Sequence, residues 1–156
     1  MNRLVLPAVL LMTVLICVGC AEEAPEIPVP TKATILADAK SLAETRSAEA
    51  QFSLGNLYAE GKVVPNDFTE AAKWFRKAAD QGHAQAQYTL GVIYSGGHGV
   101  PVDFAEGYVW YCLAEKSGVE NASDDCDSLA GELQSEELVV ANKRIDQLFE
   151  EIQLLE

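Results

Sequence analysis

Residues 48–83 read AEAQFSLGNLYAEGKVVPNDFTEAAKWFRKAADQGH, and residues 84–119 read AQAQYTLGVIYSGGHGVPVDFAEGYVWYCLAEKSGV. Set one above the other without a gap, they agree at 15 of 36 positions. Leu54-Gly55 falls on Leu90-Gly91, Tyr58 on Tyr94 and Gly61 on Gly97. Val64-Pro65 and Asp67-Phe68 fall on Val100-Pro101 and Asp103-Phe104. Glu70, Trp74, Ala78 and Gly82 fall on Glu106, Trp110, Ala114 and Gly118. Agreement of this density at one offset is a repeat. A period in this range signals a solenoid, in which no unit buries its apolar face alone.

Each unit has the parts of a helix pair. Ala50, Leu54, Leu57 and Tyr58 recur at helical spacing, and Gly61 and Pro65 then break the chain. Asp67 and Asp103 stand where a second helix starts, with Glu70 and Glu106 three residues on. That spacing predicts a variant of the capping box. Phe68, Ala71, Ala72, Phe75, Ala78 and Ala79 predict one apolar helix face. Gly82 and Gly118 stand where a helix end favours left-handed backbone. Gly55 and Gly91 fall inside helices, where each costs about 1 kcal/mol against Ala. Close approach of the partner helix, beside Trp74 and Trp110, is their expected use.

These residues resemble the SEL-one-like repeat family, relatives of the tetratricopeptide repeat. The resemblance covers residues 48–119. Two departures stand out: Val63 replaces the loop Gly kept at Gly99, and Gly107-Tyr108 replaces Ala71-Ala72. The resemblance implies an all-α fold, a short right-handed α-solenoid of antiparallel helix pairs with capping helices at both ends. Ile35, Ala39, Leu42 and Ala43 mark a cap over residues 32–47. Ala122, Cys126, Leu129 and Leu133 mark one further helix. Leu138, Ala141, Ile145, Leu148, Phe149, Ile152 and Leu155 mark a long last helix from about Ser135, so the second cap spans 120–156. Seven helices are expected over 32–156. Terminal units of solenoids are atypical because one face meets water.

Residues 1–20 read MNRLVLPAVLLMTVLICVGC, a single early cation followed by an uncharged apolar run. The run is shorter than the roughly 20 residues that span a bilayer, and it has the layout of a secretory signal. Cys17-Val18-Gly19-Cys20 resembles the bacterial lipobox, with Cys17 where Leu is usual. That resemblance implies a signal peptide over 1–19, lipid attachment at Cys20 and a place in the bacterial envelope, facing the periplasm. Ala21 after the Cys implies the outer membrane. Residues 20–31 then form a tether, with three Pro and three Glu between Ala21 and Thr31.

Lys+Arg 11 against Asp+Glu 24 leaves a formal net charge of −13. Such a surface does not neutralise phosphates, so nucleic acid is excluded as a partner, as is adsorption to anionic lipid. Of the four Cys, the one CxxC, Cys17-Val18-Gly19-Cys20, lies in the signal segment, and with two His, His83 and His98, no recognisable metal-ligand spacing is left. His83 is expected at a helix end, where a cation suits the C-terminal dipole, and His98 in a turn. Ser95-Gly96-Gly97-His98-Gly99-Val100 lacks the Lys of a phosphate loop. The acidic run 120–127 lacks the order of a calcium loop and reads as a solvated helix start. No metal or cofactor is expected. Cys112 and Cys126 fall on consecutive helices at similar heights, six residues before and eight after Gly118. They are a candidate disulfide; the alternative is two buried thiols.

No catalytic constellation is present: S-x-x-K, K-T-G and G-x-S-x-G are all missing. Some Cys-rich relatives of the repeat family are linked to penicillin binding, but they carry a Cys pair in every unit. The resemblance implies a non-enzymatic adaptor or scaffold that binds an envelope protein or peptide. The acidic surface favours a basic partner face. The alternatives are a structural or glycan-associated envelope lipoprotein and, more remotely, a cell-wall or β-lactam hydrolase. Tyr58, Tyr94, Trp74 and Trp110 occupy identical repeat positions and read as framework. Positions that differ between units are the candidate partner contacts: Asn56 and Val92, Lys73 and Val109, and Arg76.

Overall fold

A computed structural model describes residues 29–155. Every regular element among them is an α-helix. In chain order they are α1 (Lys32–Glu44), α2 (Ala48–Glu60), α3 (Phe68–Ala79), α4 (Ala84–Gly96), α5 (Phe104–Lys116), α6 (Ala122–Ala130) and α7 (Ser135–Gln153). Consecutive helices pack on one another from α1 to α6, and α7 packs back on α5. The result is a short helical-repeat solenoid. The stretch read as a signal peptide, with Cys17, then Cys20 and most of the stretch read as a tether, lie outside the described residues.

Side-chain caps begin most helices. Ser47 accepts from the Ala50 amide, Asp67 from Glu70 and Asp103 from Glu106. The capping box expected at α3 and α5 is only half formed. The Asp oxygens do cap, but the Glu70 and Glu106 carboxylates turn along the helix to the indoles of Trp74 and Trp110. A reciprocal box occurs instead at α7, between Gln134 and Glu137.

The apolar stripes meet in one core, in which Trp110, Phe75, Leu90 and Leu113 are fully buried. Burying each such side chain is worth roughly 1.5–3 kcal/mol. Phe68 stands outside that face and is exposed, as is Leu42 on α1. Phe68 is the first residue of its helix and lies against the turn at His98 and Gly99, and Leu42 belongs to the terminal cap.

Gly55 and Gly91 do mark the closest helix approach, but their partners are not the Trp residues. A Cβ on Gly55 would lie 2.6 Å from the Phe75 ring, and one on Gly91 would lie 2.5 Å from the Tyr111 ring. Each ring belongs to the residue after the Trp, one helical step round, and so faces the preceding helix.

The repeat also extends backward into α1. Gln51 Nε2 donates to the Ala43 carbonyl at 3.1 Å, and Gln87 Nε2 to the Ala79 carbonyl at 3.3 Å. Their Oε1 atoms accept from Gln81 Nε2 at 2.7 Å and Ser117 Oγ at 2.8 Å. Each buried amide thus satisfies its donor and its acceptor on the preceding and following helix ends. The turn residues Gly82 and Gly118 have φ of +84° and +89°; Arg46, 36 positions before Gly82, has φ of +64°. Helix α1 therefore stands where the second helix of a preceding unit would stand.

Helix α7, about 28 Å long at 1.5 Å per residue, runs beside α5 in the same direction. Tyr108 donates to Asn142 Oδ1 at 2.9 Å, and Lys116 lies 3.8 Å from Asp146 and 5.3 Å from the Phe149 ring centre. Its far end passes the turn after α3, where a Cβ on Gly82 would lie 2.7 Å from Ile152.

Candidate functional site

Glu106 occupies the junction of α3, α5 and α7. The Asp103 cap holds it in the first turn of α5, where its carboxylate also complements the helix dipole. Trp110 Nε1, one turn on, donates to its Oε1 at 2.9 Å. From α3, Arg76 Nη1 reaches the same oxygen at 3.0 Å, with its guanidinium 4.7 Å from the Trp110 ring centre. From α7, Arg144 bridges both oxygens, at 2.5 and 3.2 Å. The Glu106 side chain is 11% exposed. Burial disfavours the Arg76 charge, but Asp80 and Glu106 more than offset this and raise its pKa.

The first unit has a lesser version. Glu70 accepts from Trp74 Nε1 at 3.1 Å and from Lys73 Nζ at 2.8 Å, with 32% of its side chain exposed. The Lys73 hydrogen bond, partly opposed by desolvation, holds its pKa below the usual carboxylate range. Among the described residues, no arginine joins it from a neighbouring helix. The second unit is therefore stapled on both sides, and the first is not.

Above the staple, α5 and α7 diverge into a cleft of about 360 Å³. Ala105, Val109, Val140 and Ala141 give it apolar walls; Asp103, Glu136 and Glu137 stand with them around it. A wider, more polar hollow of about 890 Å³ lies at the other end of the molecule, lined by Trp74, Lys77, Arg46, Gln81 and Leu155 among others.

The structure separates the candidate contact positions. Lys73 and Val92 are exposed, and Asn56 is half-buried. Lys73 is already paired with Glu70. Arg76 and Val109 are not open surface positions. Arg76 is committed to Asp80, Glu106 and the Trp110 ring, and Val109 is buried as a wall of the cleft. Divergence between the units at these two positions reflects their different neighbours: α7 packs beside Val109, while Arg76 meets α5 and its counterpart Cys112 is bonded to α6. Of the framework aromatics, Trp110 is fully buried, while Trp74, Tyr58 and Tyr94 are half-buried.

Cys112 and Cys126 are disulfide-bonded, joining α5 to α6 with Cα atoms 5.3 Å apart. His83 stands at the start of α4, not at the end of α3. Its Nδ1 accepts from the Ala86 amide at 3.1 Å, and its Nε2 lies 3.0 Å from Glu49. It takes the place that Ser47 has one unit earlier, so the C-terminal dipole has no part in its role. His98 is exposed beside Phe68, 6.0 Å between ring centres. In the acidic run, Asp125 accepts from Tyr88 Oη at 2.9 Å, a contact the sequence reading missed. That bond raises the Tyr88 pKa, and burial raises that of Tyr111. Among the described residues, no group of three or more His, Cys, Asp and Glu is arranged to hold a metal.

Glu106 and Arg144 are the main residues that sequence reasoning missed as a pair. Glu106 carried a signal, since Glu and Trp recur four residues apart in both units. Arg144 lies outside the repeat and carried none.

Comparison with known proteins agrees with the geometry. The Sel1 repeat model matches residues 48–83 and 84–119. A crystal structure of a protective antigen present in uropathogenic Escherichia coli strains, displaying an SLR fold, superposes with a TM-score of 0.71 at 31% identity. It covers 78% of this chain, and this chain covers 26% of it. A Sel1 repeat protein from Oxalobacter formigenes superposes with a TM-score of 0.58 at 34% identity, over 61% of this chain and 39% of its own. The chain thus spans well under half of each of these proteins. No curated protein matches it. Sel1 repeat proteins are generally protein-interaction modules and typically non-enzymatic.

Proposed function

Because the chain carries two Sel1 repeats, we propose that it is a non-enzymatic adaptor or scaffold that binds a protein or peptide partner while tethered in the bacterial envelope. The observation that carries this reading is the staple at Glu106. It locks α3, α5 and α7 together, so the surface they present is formed before a partner arrives. A preformed surface avoids the ordering cost of binding. Two units and their caps make a small surface, which suits a modest or transient interaction.

The anchor in this proposal is Cys20, acylated after removal of residues 1–19, with the tether holding the repeats off the membrane. Several acyl chains, at roughly 0.8 kcal/mol per buried CH₂, hold a protein firmly. No helix among the described residues is long and apolar enough to cross a membrane. The Ala21 reading puts the protein on the periplasmic side of the outer membrane.

The test is affinity capture from crosslinked envelopes, read by mass spectrometry against Cys20→Ala. Reproducible enrichment of one or two proteins is the expected result. Recovery of wall fragments or polysaccharide without a protein would favour a glycan-associated spacer instead. Identical fractionation of the two chains would remove the anchor from the account.

A further inference from the structure

We propose that the cleft between α5 and α7 is the partner-binding site, and that it takes a lysine or arginine side chain from a partner polypeptide. The proposal deepens the interaction reading above and rests on it.

The walls and the charge specify the guest. Val140 and Ala105 offer apolar surface to an aliphatic stem, over a floor made by the buried Val109 and Ala141. Asp103, Glu136 and Glu137 offer carboxylates to a cationic head. The cation lining the cleft, Arg144, has its guanidinium bridged across both oxygens of Glu106. That pairing neutralises the charge at the inner end and leaves the other three carboxylates without a basic partner among the described residues. Asp103 uses Oδ1 to cap α5, and Glu137 uses Oε2 to cap the start of α7. Each keeps a second oxygen, and Glu136 keeps both. A volume of about 360 Å³ lies at the small end of the range for ligand clefts and suits one long side chain.

Helix N-termini ordinarily attract anions, and the cleft opens at two of them. Here Asp103 and Gln134 already cap those ends. An anion would meet three carboxylates on a chain of net charge −13. The chain's own tether is a poor guest for the same reason, since residues 21–31 contain three Glu and no Lys or Arg.

The test uses the full chain in zwitterionic detergent. The probe is a fluorescein-labelled peptide of alternating valine and arginine, with a control in which citrulline replaces each arginine. Fluorescence anisotropy gives the affinity. The arginine peptide should bind at least tenfold more tightly than the citrulline control. Val140→Lys places a cation on the apolar wall at a position 69% exposed in the free protein, so folding should be retained, as circular dichroism can verify. It should weaken binding at least tenfold. Glu136→Gln should weaken it about threefold, the effect of one exposed charge pair, whereas Glu120→Gln outside the cleft should not. Equal binding of the citrulline peptide, or equal losses at Glu136 and Glu120, would overturn the proposal. So would dispersal of a dimer by Val140→Lys in sedimentation, since the guest would then be a second copy. Envelope capture separates the two levels of the account. A captured protein whose yield is indifferent to Val140→Lys sinks the cleft and spares the adaptor; capture of none sinks both.

Discussion

Arg144 of α7 grips both carboxylate oxygens of Glu106, 38 residues earlier in the chain. Arg76 reaches the same group from the preceding unit. One carboxylate thereby ties the last helix to the second helix of each repeat.

Replacing Glu106 with Gln should destabilise the fold by about 2 kcal/mol, because two guanidiniums lose a charged acceptor at a largely buried site. The matching change at Glu70 meets one exposed lysine and should cost less than about 1 kcal/mol. Urea unfolding of the two variants checks the difference. Equal losses would mean that the arginines contribute little.

Arg46 has left-handed backbone at the turn where the later units have Gly82 and Gly118. A non-Gly residue there costs roughly 1–2 kcal/mol in the fold, partly offset by the greater entropy of unfolded Gly. Arg46→Gly should therefore raise stability by about 0.5–1 kcal/mol. Gly118→Ala should lower it by about 1 kcal/mol through backbone strain alone, since a Cβ there meets nothing within 4 Å. Thermal unfolding should show opposite signs.

The Cys112–Cys126 bond closes a loop with a sequence separation of 14. For a loop of this size the chain-entropy model gives about 3 kcal/mol. The Cys112→Ala, Cys126→Ala double variant should unfold at lower denaturant than the oxidised protein by that amount. Mass spectrometry after alkylation without reductant should find neither Cys112 nor Cys126 alkylated in the native chain.

Tyr88 and Tyr111 have pKa values raised above the ordinary 10.0, Tyr88 chiefly by its hydrogen bond to Asp125 and Tyr111 by burial. In the unfolded chain they ionise near pH 10, so unfolding gains above that value what the folded state resists. Their contribution is fully present below about pH 10 and is lost as pH rises through the folded pKa. Stability should fall in that alkaline window, and tyrosinate absorbance should rise with unfolding. Tyr88→Phe should flatten part of the decline.

The repeat was legible because its signals are local and doubled. Asp67 and Asp103 cap their helices, and Gly82 and Gly118 turn as their type requires. Helix count and the start of α7 at Ser135 followed from apolar periodicity. Orientation round a helix was less legible. Gly91 meets Tyr111 and not Trp110, a one-residue error that amounts to about 100° of helix rotation. A histidine is compatible with either end of a helix, so residue type alone does not show that His83 starts α4. The partnership of Glu106 with Arg144 could not be read at all, since it depends on α7 folding back over α5 and not on any repeat. Divergence between units also misled: Val109 packs beside α7, which the first unit lacks, and Arg76 packs on Glu106 and Trp110 of α5, while its counterpart Cys112 is bonded to α6.

Photo-crosslinking in living cells tests the central claim most directly. A photoreactive residue is placed in turn at Val140 in the cleft, at Val92 on α4 and at Glu120 outside both. The account predicts one crosslinked protein partner from Val140, less or none from Val92, and none from Glu120. Crosslinks to glycan alone, or no protein adduct at any position, would contradict it.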